Sequence, residues 1–147
     1  MTFREIPFGS DDYRQAVDLR FDVLRRQLAP GAADDDCDAE ANYLHFGLFD
    51  ESTLLACCFV VPMENQQARL RQMAVRADRQ KTGLGRELMR QVEATLAELA
   101  YQRIILHARE VATGFYTRIG YIVTSDKFLE VGLPHFRMEK TLSRRTV

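Results

Sequence analysis

The chain has 147 residues, of which 46% are hydrophobic and 28% charged, a balance that predicts one soluble globular domain over residues 1–147. Its net charge of −1 gives no bulk electrostatic reason to expect binding to nucleic acid or to a membrane. Residues 1–5 lack the apolar core of a signal peptide, and no apolar run approaches the ~20 residues that span a bilayer. We therefore expect a cytoplasmic protein.

The first half of the chain predicts four strands and one helix. Ser10, Asp11 and Asp12 form a helix-start signal. Apolar residues then recur at helical spacing, namely Val17, Phe21, Leu24 and Leu28. The segment 29–41 is acidic and contains Gly and Pro, which indicates a loop. The predicted strands are 2–7, 43–49, 53–62 and 68–75.

Three cysteines, Cys37, Cys57 and Cys58, have no metal-ligand spacing. Adjacent residues of a strand point to opposite faces, so Cys57 and Cys58 should not form a disulfide with each other. We interpret all three as reduced packing residues.

The second half begins with a glycine-containing turn and a long amphipathic helix over 84–99. Its predicted apolar stripe is Leu84, Leu88, Val92, Leu96 and Leu99. A strand over 103–108, a helix over 111–119 and strands over 121–128 and 134–140 follow. Early strands that succeed one another predict an antiparallel meander, whereas the passage from 68 to 108 demands a parallel neighbour. The expected fold is α/β (α+β): a mixed, twisted central sheet with helices on both faces.

Residues 80–86, called the glycine turn below, have the character of a phosphate site. Unpaired N–H groups at a helix start point at one spot, and the helix dipole favours negative charge there. Gly83 and Gly85 lack a Cβ, so an anion can approach the backbone closely. Lys81 and Arg86 add positive charge. The order of these residues does not fit a Walker A loop, and a Rossmann fingerprint would need a third glycine near Leu88.

The glycine turn resembles the acyl-CoA pyrophosphate loop of the GNAT superfamily of N-acetyltransferases, Gln/Arg-x-x-Gly-x-Gly/Ala, at Gln80, Gly83 and Gly85. Residues 114–121 are similar to the family's Phe-Tyr-x-x-x-Gly-Phe/Tyr element. Residues 132–138 resemble the Gly-Ile-Pro-His-x-x-Met ending of the small bacterial ElaA/YjcF-like branch. The resemblance implies a GNAT-type sheet and acetyl-CoA as cosubstrate.

The family pattern also implies a cofactor site. Backbone groups of Met73, Ala74 and Val75, on a strand that splays from its neighbour, would bond the thioester and the pantetheine arm. The pyrophosphate would lie on the turn residues Gln80, Lys81, Thr82, Gly83, Leu84, Gly85 and Arg86. Phe115 belongs to this set, as does Arg109, which stands where many relatives carry Asn and would lie near the cofactor phosphates.

For catalysis, the resemblance implies that the Tyr116 hydroxyl protonates the leaving thiolate, and an ordinary pKa near ~10 keeps a tyrosine protonated. The carboxylate that relatives offer as a base is replaced by Arg71. We expect His135, in the terminal signature, to be catalytic, and we assign Arg20, Asp38 and His45 to the acceptor site. As alternative bases, Glu40 and His107 stay open together with Asp38 and His45, and so does a chain of waters.

The expected reaction is direct attack of a primary amine on acetyl-CoA in a ternary complex. The acceptor would be a small-molecule or peptide amine, and the acidic run 34–40 suggests a cationic one. The three histidines have no ligand spacing, so we expect no metal. Two alternatives stay open: a non-catalytic acyl-CoA-binding or sensing domain, and a phosphate- or nucleotide-binding α/β domain of another class. A homodimer is also open.

Overall fold

The computed structural model describes residues 1–24 and 38–143. Within these ranges the α-helices are α1 (Asp11–Val23), α2 (Leu84–Glu98) and α3 (Thr113–Arg118). The strands are β1 (Thr2–Glu5), β2 (Leu44–Asp50), β3 (Thr53–Pro62), β4 (Gln67–Val75), β5 (Arg103–Arg109), β6 (Ile122–Val123), β7 (Phe128–Glu130) and β8 (Leu133–Thr141). Short 3-10 turns lie at Ala39–Asn42, Ala77–Arg79 and Glu110–Ala112. Leu28, Cys37 and the acidic positions 34–36 lie outside the described residues.

The strands of the described residues form one eight-stranded sheet in the order β1-β2-β3-β4-β5-β8-β6, with β7 also paired to β8. The pairs are antiparallel except β4 with β5, which are parallel because α2 carries the chain from one end of the sheet back to the other. The predicted mixed sheet is therefore confirmed.

Helices cover both faces of the sheet, as predicted. The α2 stripe of Leu88, Val92 and Leu96 is fully buried in one apolar cluster with residues of β3 and β5. On the opposite face, Ala16 of α1 packs with Cys57 of β3 and Ala74 of β4. Cys57 and Cys58 accordingly lie in different clusters and are free thiols. Burial raises the pKa of Cys57 to about 12 and that of Cys58 well above its ordinary value.

The buried face of α1 differs from the predicted one. Tyr13, Ala16 and Arg20 are buried, whereas Phe21, expected in the apolar stripe, is 56% exposed. Consecutive helical residues are about 100° apart, so burying Arg20 turns its neighbour Phe21 toward solvent. The physical reason is that the Arg20 guanidinium is paired with the buried Glu40 carboxylate.

The predicted strand 121–128 is also wrong in detail, because two short strands, β6 and β7, replace it. Val123 pairs with Met138 and Phe128 with His135. The four residues between Val123 and Phe128 therefore lie opposite only two residues of β8. The Ser125 hydroxyl accepts the backbone N–H of Arg137 at 2.9 Å and takes the place of a strand carbonyl. A side chain that satisfies the ladder in this way interrupts the strand.

Candidate functional site

β4 and β5 pair at one end and then separate. Their parallel register runs from Gln67–Arg103 to Arg69–Ile105 and ends there, although the strands continue to Val75 and Arg109. The structure thus contains the splay that the resemblance implies. The diverging backbones leave a wedge-shaped gap in the middle of the sheet.

A β-bulge in β4 accompanies the separation. Cys57 opposes Ala74 and Phe59 opposes Arg71, so two residues of β4 face one of β3. Gln72 lies in the left-handed region with φ 55°. Bulges of this kind disrupt the ladder locally and re-aim the backbone, here next to Met73.

The gap opens into a cleft of about 660 Å³. Residues 69–73 of β4 and 106–109 of β5 line it, together with Tyr116 of α3. Met73, Arg109 and Tyr116 of the predicted site therefore share this cleft. Ala74 and Val75 do not line it; they follow Met73 on β4, where Ala74 is buried under α1 and Val75 packs on the α2 cluster.

The glycine turn lies between β4 and α2. Gly83 is the N-cap of α2 with φ 87°, a left-handed conformation that favours glycine, and no side chain caps this helix end. Lys81 also has positive φ, and the Thr82 hydroxyl donates to the carbonyl of Arg79. Gln80 Nε2 donates to the Val75 carbonyl at 3.1 Å, which ties the turn to the end of β4.

The chemistry of this turn suits an anion. The first N–H groups of an α-helix have no intrahelical acceptor, and positions 80–83 are exposed. A Cβ at Gly83 would meet nothing within 4 Å, so the space in front of the turn is open. Exposed N–H groups at the positive end of a helix dipole can hold a phosphate group.

Gly85 has a different role, in packing. A Cβ there would lie 3.3 Å from the Phe115 ring and 3.5 Å from Met73 Cε. The missing side chain lets α2 approach α3 and β4 closely. Phe115 in turn contacts Tyr116 edge-on, with ring centroids 5.0 Å apart, so the predicted acid is positioned by the same contact.

Tyr116 is 8% exposed, and its hydroxyl lies 3.9 Å from Met73 Sδ. Burial raises the pKa of Tyr116 above its ordinary value, so the phenol is protonated at neutral pH. A sulfur atom is a weak acceptor, which leaves the proton available to a stronger one. The geometry suits a proton donor facing the cleft.

One side of the cleft carries a cluster of ionisable side chains from four strands, called the charged wall below: Arg69, His107, Glu130 and His135. His107 Nδ1 lies 2.9 Å from Glu130 Oε1 and 3.0 Å from Arg69 Nη2. His135 Nε2 lies 3.6 Å from the other Glu130 oxygen. His135 Nδ1 donates to the Leu133 carbonyl at 2.8 Å, and the ring is 5% exposed.

Glu130 is the residue that the sequence reasoning missed. Burial alone raises its pKa, but the hydrogen bond and charge of His107, with His135 and Arg69, bring the pKa of Glu130 below its ordinary value. The carboxylate is therefore ionised at neutral pH. No spacing signal marks this residue, because its partners come from β4, β5 and β8.

The residues expected at the acceptor site are mostly buried. Arg20 pairs with Glu40 through two contacts of 2.9 and 3.0 Å, and Tyr13 donates to Glu40 at 2.9 Å. His45 Nε2 lies 2.8 Å from the Glu40 carbonyl, and burial lowers the pKa of His45. Glu40 lines the cleft, whereas Arg20 and His45 lie behind it. Asp38 is exposed at the start of the 3-10 turn Ala39–Asn42.

Arg71 lines the same cleft where relatives were expected to offer a carboxylate. Its guanidinium lies 5.8 Å from the Phe59 ring centroid.

In residues 1–24 and 38–143, no three His, Cys, Asp or Glu side chains converge so that they could hold a metal ion. No helix of the described part has both the length and the apolar character that crossing a membrane requires.

The splayed strands, the glycine turn and the buried tyrosine are the features that the GNAT resemblance implies. Residues 15–142 match the sequence profile of the acetyltransferase (GNAT) domain, and the chain belongs to this family.

Its relatives include the branch suggested by the terminal signature. YjcF, an uncharacterised N-acetyltransferase of Bacillus subtilis, is 33% identical over 79 residues, which are 53% of this chain and 56% of YjcF. The matched segments span about half the length of the curated relatives. The ElaA structure from Escherichia coli matches 95% of this chain and 98% of its own with a TM-score of 0.80 at 18% identity. The resemblance to the ElaA/YjcF type is confirmed.

A further solved structure has the same fold over both whole chains. An aminoglycoside 6'-N-acetyltransferase complexed with coenzyme A covers 100% of each chain with a TM-score of 0.80 at 16% identity. At 16% identity, this likeness shows the shared fold alone.

Proposed function

We propose that this protein transfers an acetyl group from acetyl-CoA to a primary amine, by direct attack in a ternary complex. The observation that carries the proposal is the cleft between β4 and β5. It holds a buried protonated tyrosine and a charged wall in one space, and Met73 of the cleft packs against Gly85 of the neighbouring exposed helix start. A reaction between a phosphate-bearing thioester and an amine needs these three parts.

The cofactor would bind along the separated strands. The N–H groups of residues 80–86 fit a pyrophosphate, with Lys81, Arg86 and Arg109 supplying positive charge. Backbone groups of β4 over 73–75 would orient the thioester, since the ladder between β4 and β5 ends at Arg69 and β5 does not pair with this part of the strand. Phe115 would support this end by holding Tyr116 in place. A fold relative complexed with coenzyme A supports this assignment.

Tyr116 would act when the tetrahedral intermediate collapses. Its phenol would give a proton to the leaving thiolate, because a thiol is a better leaving group once protonated. The buried site keeps that proton on the oxygen until a stronger base than Met73 sulfur arrives.

The acceptor would occupy the side of the cleft that carries the charged wall. His135 would contribute by holding Glu130, and Arg20 and His45 by holding Glu40 at the cleft edge. Asp38 would face an acceptor from the exposed turn.

We further propose that residues 1–147 work as one domain, and that the reduced thiols Cys57 and Cys58 reflect a cytoplasmic location.

Two measurements test the proposal. Thiol release from acetyl-CoA over a panel of polyamines, aminoglycosides, amino acids and lysine peptides should show turnover with at least one amine. CoA at about a hundred times its dissociation constant should stabilise the fold by ~2.7 kcal/mol, and ATP should not. CoA binding without any turnover would instead favour a non-catalytic acyl-CoA sensor. Stabilisation by ATP alone would favour a nucleotide-binding domain.

A further inference from the structure

We propose that His107 and Glu130 form a dyad in which His107 Nε2 accepts the proton of the acceptor amine and Glu130 is the positioning residue. This inference rests on the proposed function and deepens it. It names a base where the strand carboxylate of relatives is replaced by Arg71. It also assigns the amine to the charged wall of the cleft.

The neighbours of His107 determine its tautomer. Both the Arg69 guanidinium and the Glu130 carboxylate approach Nδ1, at 3.0 and 2.9 Å. An ionised carboxylate next to an unprotonated Nδ1 would place two lone pairs against each other. With the proton on Nδ1, that contact becomes a charge-assisted hydrogen bond. Arg69 then pairs with the carboxylate itself, whose Oε1 lies 3.7 Å from Nη2.

This tautomer leaves Nε2 with a lone pair. Nδ1 is covered by Arg69 and Glu130, and among the described residues no hydrogen-bond partner meets Nε2. The His107 side chain is 25% exposed and lines the cleft in which an acceptor would lie. A carboxylate that holds the other ring nitrogen fixes the tautomer of the imidazole.

The surroundings of the dyad hold it in place. The Phe128 ring meets His107 edge-on, with centroids 5.1 Å apart. His135 reaches the second oxygen of Glu130 at 3.6 Å. Together with Arg69, these contacts hold the ring and the carboxylate from three sides, as a pre-positioned base requires.

The other histidines are less suited to accept the proton. His135 is 5% exposed, with Nδ1 bonded to Leu133 and Nε2 directed at Glu130. His45 is 2% exposed, and its Nε2 lies against the Glu40 carbonyl. Neither offers a free nitrogen to the cleft, whereas His107 does.

The step balances in protons and bonds. An acceptor ammonium gives one proton to His107 Nε2, and the neutral amine attacks the thioester carbon, forming the C–N bond. The C–S bond then breaks and the thiolate takes the Tyr116 proton. The second proton of the amine nitrogen restores the phenol, and His107 releases its proton to water.

Several charged groups surround His107. Glu130 on β7 and Arg69 on β4 approach its Nδ1. On β8, His135 lies beyond Glu130, and Arg137 stands directly opposite His107 in the register. On its own strand, Arg109 is two residues away, on the same face.

The first experiment is steady-state kinetics with the best amine of the panel. His107→Gln keeps a donor for Glu130 but removes the base, and should lower kcat about 100-fold or more. Glu130→Gln should lower it about 10-fold, with the acetyl-CoA KM within twofold in both variants. The control is Asp12→Asn, which neutralises the carboxylate paired with Arg4 at 3.2 Å outside the cleft and should leave kcat within twofold. Wild-type turnover in His107→Gln would overturn the proposal.

The second experiment needs no turnover. Nitrogen-15 NMR of the imidazole rings in the whole protein should show His107 with its proton on Nδ1, and Glu130→Gln should shift protonation toward Nε2. A wild-type His107 protonated on Nε2 would refute the dyad, even in an active enzyme. A protein that binds no CoA would refute the proposed function. The protonation site of His107, measured by NMR, would still confirm or refute the dyad in that case. Unfolding of His107→Gln would be visible by circular dichroism, and Glu130→Gln would then carry the kinetic test.

Discussion

At the glycine turn the groups that face a ligand are main-chain amides, whereas at the charged wall they are side chains from four strands. The turn needs only that Gly83 adopt φ 87° and that Gly85 leave room for Phe115. The wall needs Arg69, His107 and Glu130 to meet within 3.7 Å of one another. The first kind of site is local in sequence and constant in charge, whereas the second depends on fold register and on pH.

The largest expected effect tests how much the buried ion pair at the acceptor side contributes to the free energy of unfolding. Arg20→Met would leave the Glu40 carboxylate, in a residue only 2% exposed, without its cation. We expect a loss of about 3–5 kcal/mol in the free energy of unfolding, measured with urea. The control Arg103→Met breaks the exposed pair with Glu139 at 3.4 Å and should cost less than ~1 kcal/mol. Equal losses in both variants would contradict the assignment.

The second-largest effect tests whether the main-chain amides of the glycine turn bind CoA. Gly83→Asp places a negative charge where the turn is open, and CoA should bind at least about 100-fold more weakly, about 2.7 kcal/mol. Calorimetric titration measures this affinity. Gly9→Asp is a matched control, because Gly9 also has positive φ, 80°, and open space around its Cβ position. Both variants should lose about 1 kcal/mol of stability from backbone strain, but Gly9→Asp should bind CoA normally.

A smaller effect separates the proton donor from its neighbour. Tyr116→Phe should lower kcat about 10- to 100-fold with little change in the acetyl-CoA KM, since the proton is needed only as the thiolate leaves. Tyr121→Phe removes a hydroxyl that donates to Glu93 at 2.9 Å and should cost about 1 kcal/mol of stability with kcat unchanged. Identical turnover in wild type and Tyr116→Phe would remove Tyr116 from the mechanism.

The smallest effect is a pH dependence of stability that comes from His45, the buried histidine behind the cleft. Burial lowers the pKa of His45 from its ordinary value of 6.5, so below that pH the unfolded chain binds a proton that the native state refuses. Stability is thus present above pH 6.5 and is lost as the pH falls toward the folded pKa, by at most about 1.4 kcal/mol per pH unit. Urea unfolding of wild type and His45→Gln should differ by a constant amount above about pH 7.5. A difference that stays constant down to pH 5 would contradict this expectation.

The main-chain part of the site was predictable because its constraints are local. A left-handed helix cap and a close helix contact each require a glycine, so Gly83 and Gly85 appear at fixed spacing beside the stripe of α2. Tyr116 was predicted only through the GNAT resemblance of residues 114–121, and it lies next to the aromatic ring that packs on Gly85.

The charged wall was not predictable in the same way. Glu130 is on a three-residue strand whose existence depends on the interruption at Ser125. It meets His107 only because β7 and β5 both pair with β8. The burial of Arg20 could not be predicted for a similar reason, because its partner Glu40 lies 20 residues away in the sequence. Propensity and spacing carry no information about such register-dependent meetings.

The short parallel ladder between β4 and β5 has a mechanical consequence. Residues 67–69 of β4 and 103–105 of β5 act as a pivot, and the two halves of the sheet diverge from it. On the helical side, the Phe115 ring packs on Gly85, where an added Cβ would lie 3.3 Å from the ring. A methyl group at residue 85 would therefore press α2 and α3 apart by a few tenths of an ångström beside the opening.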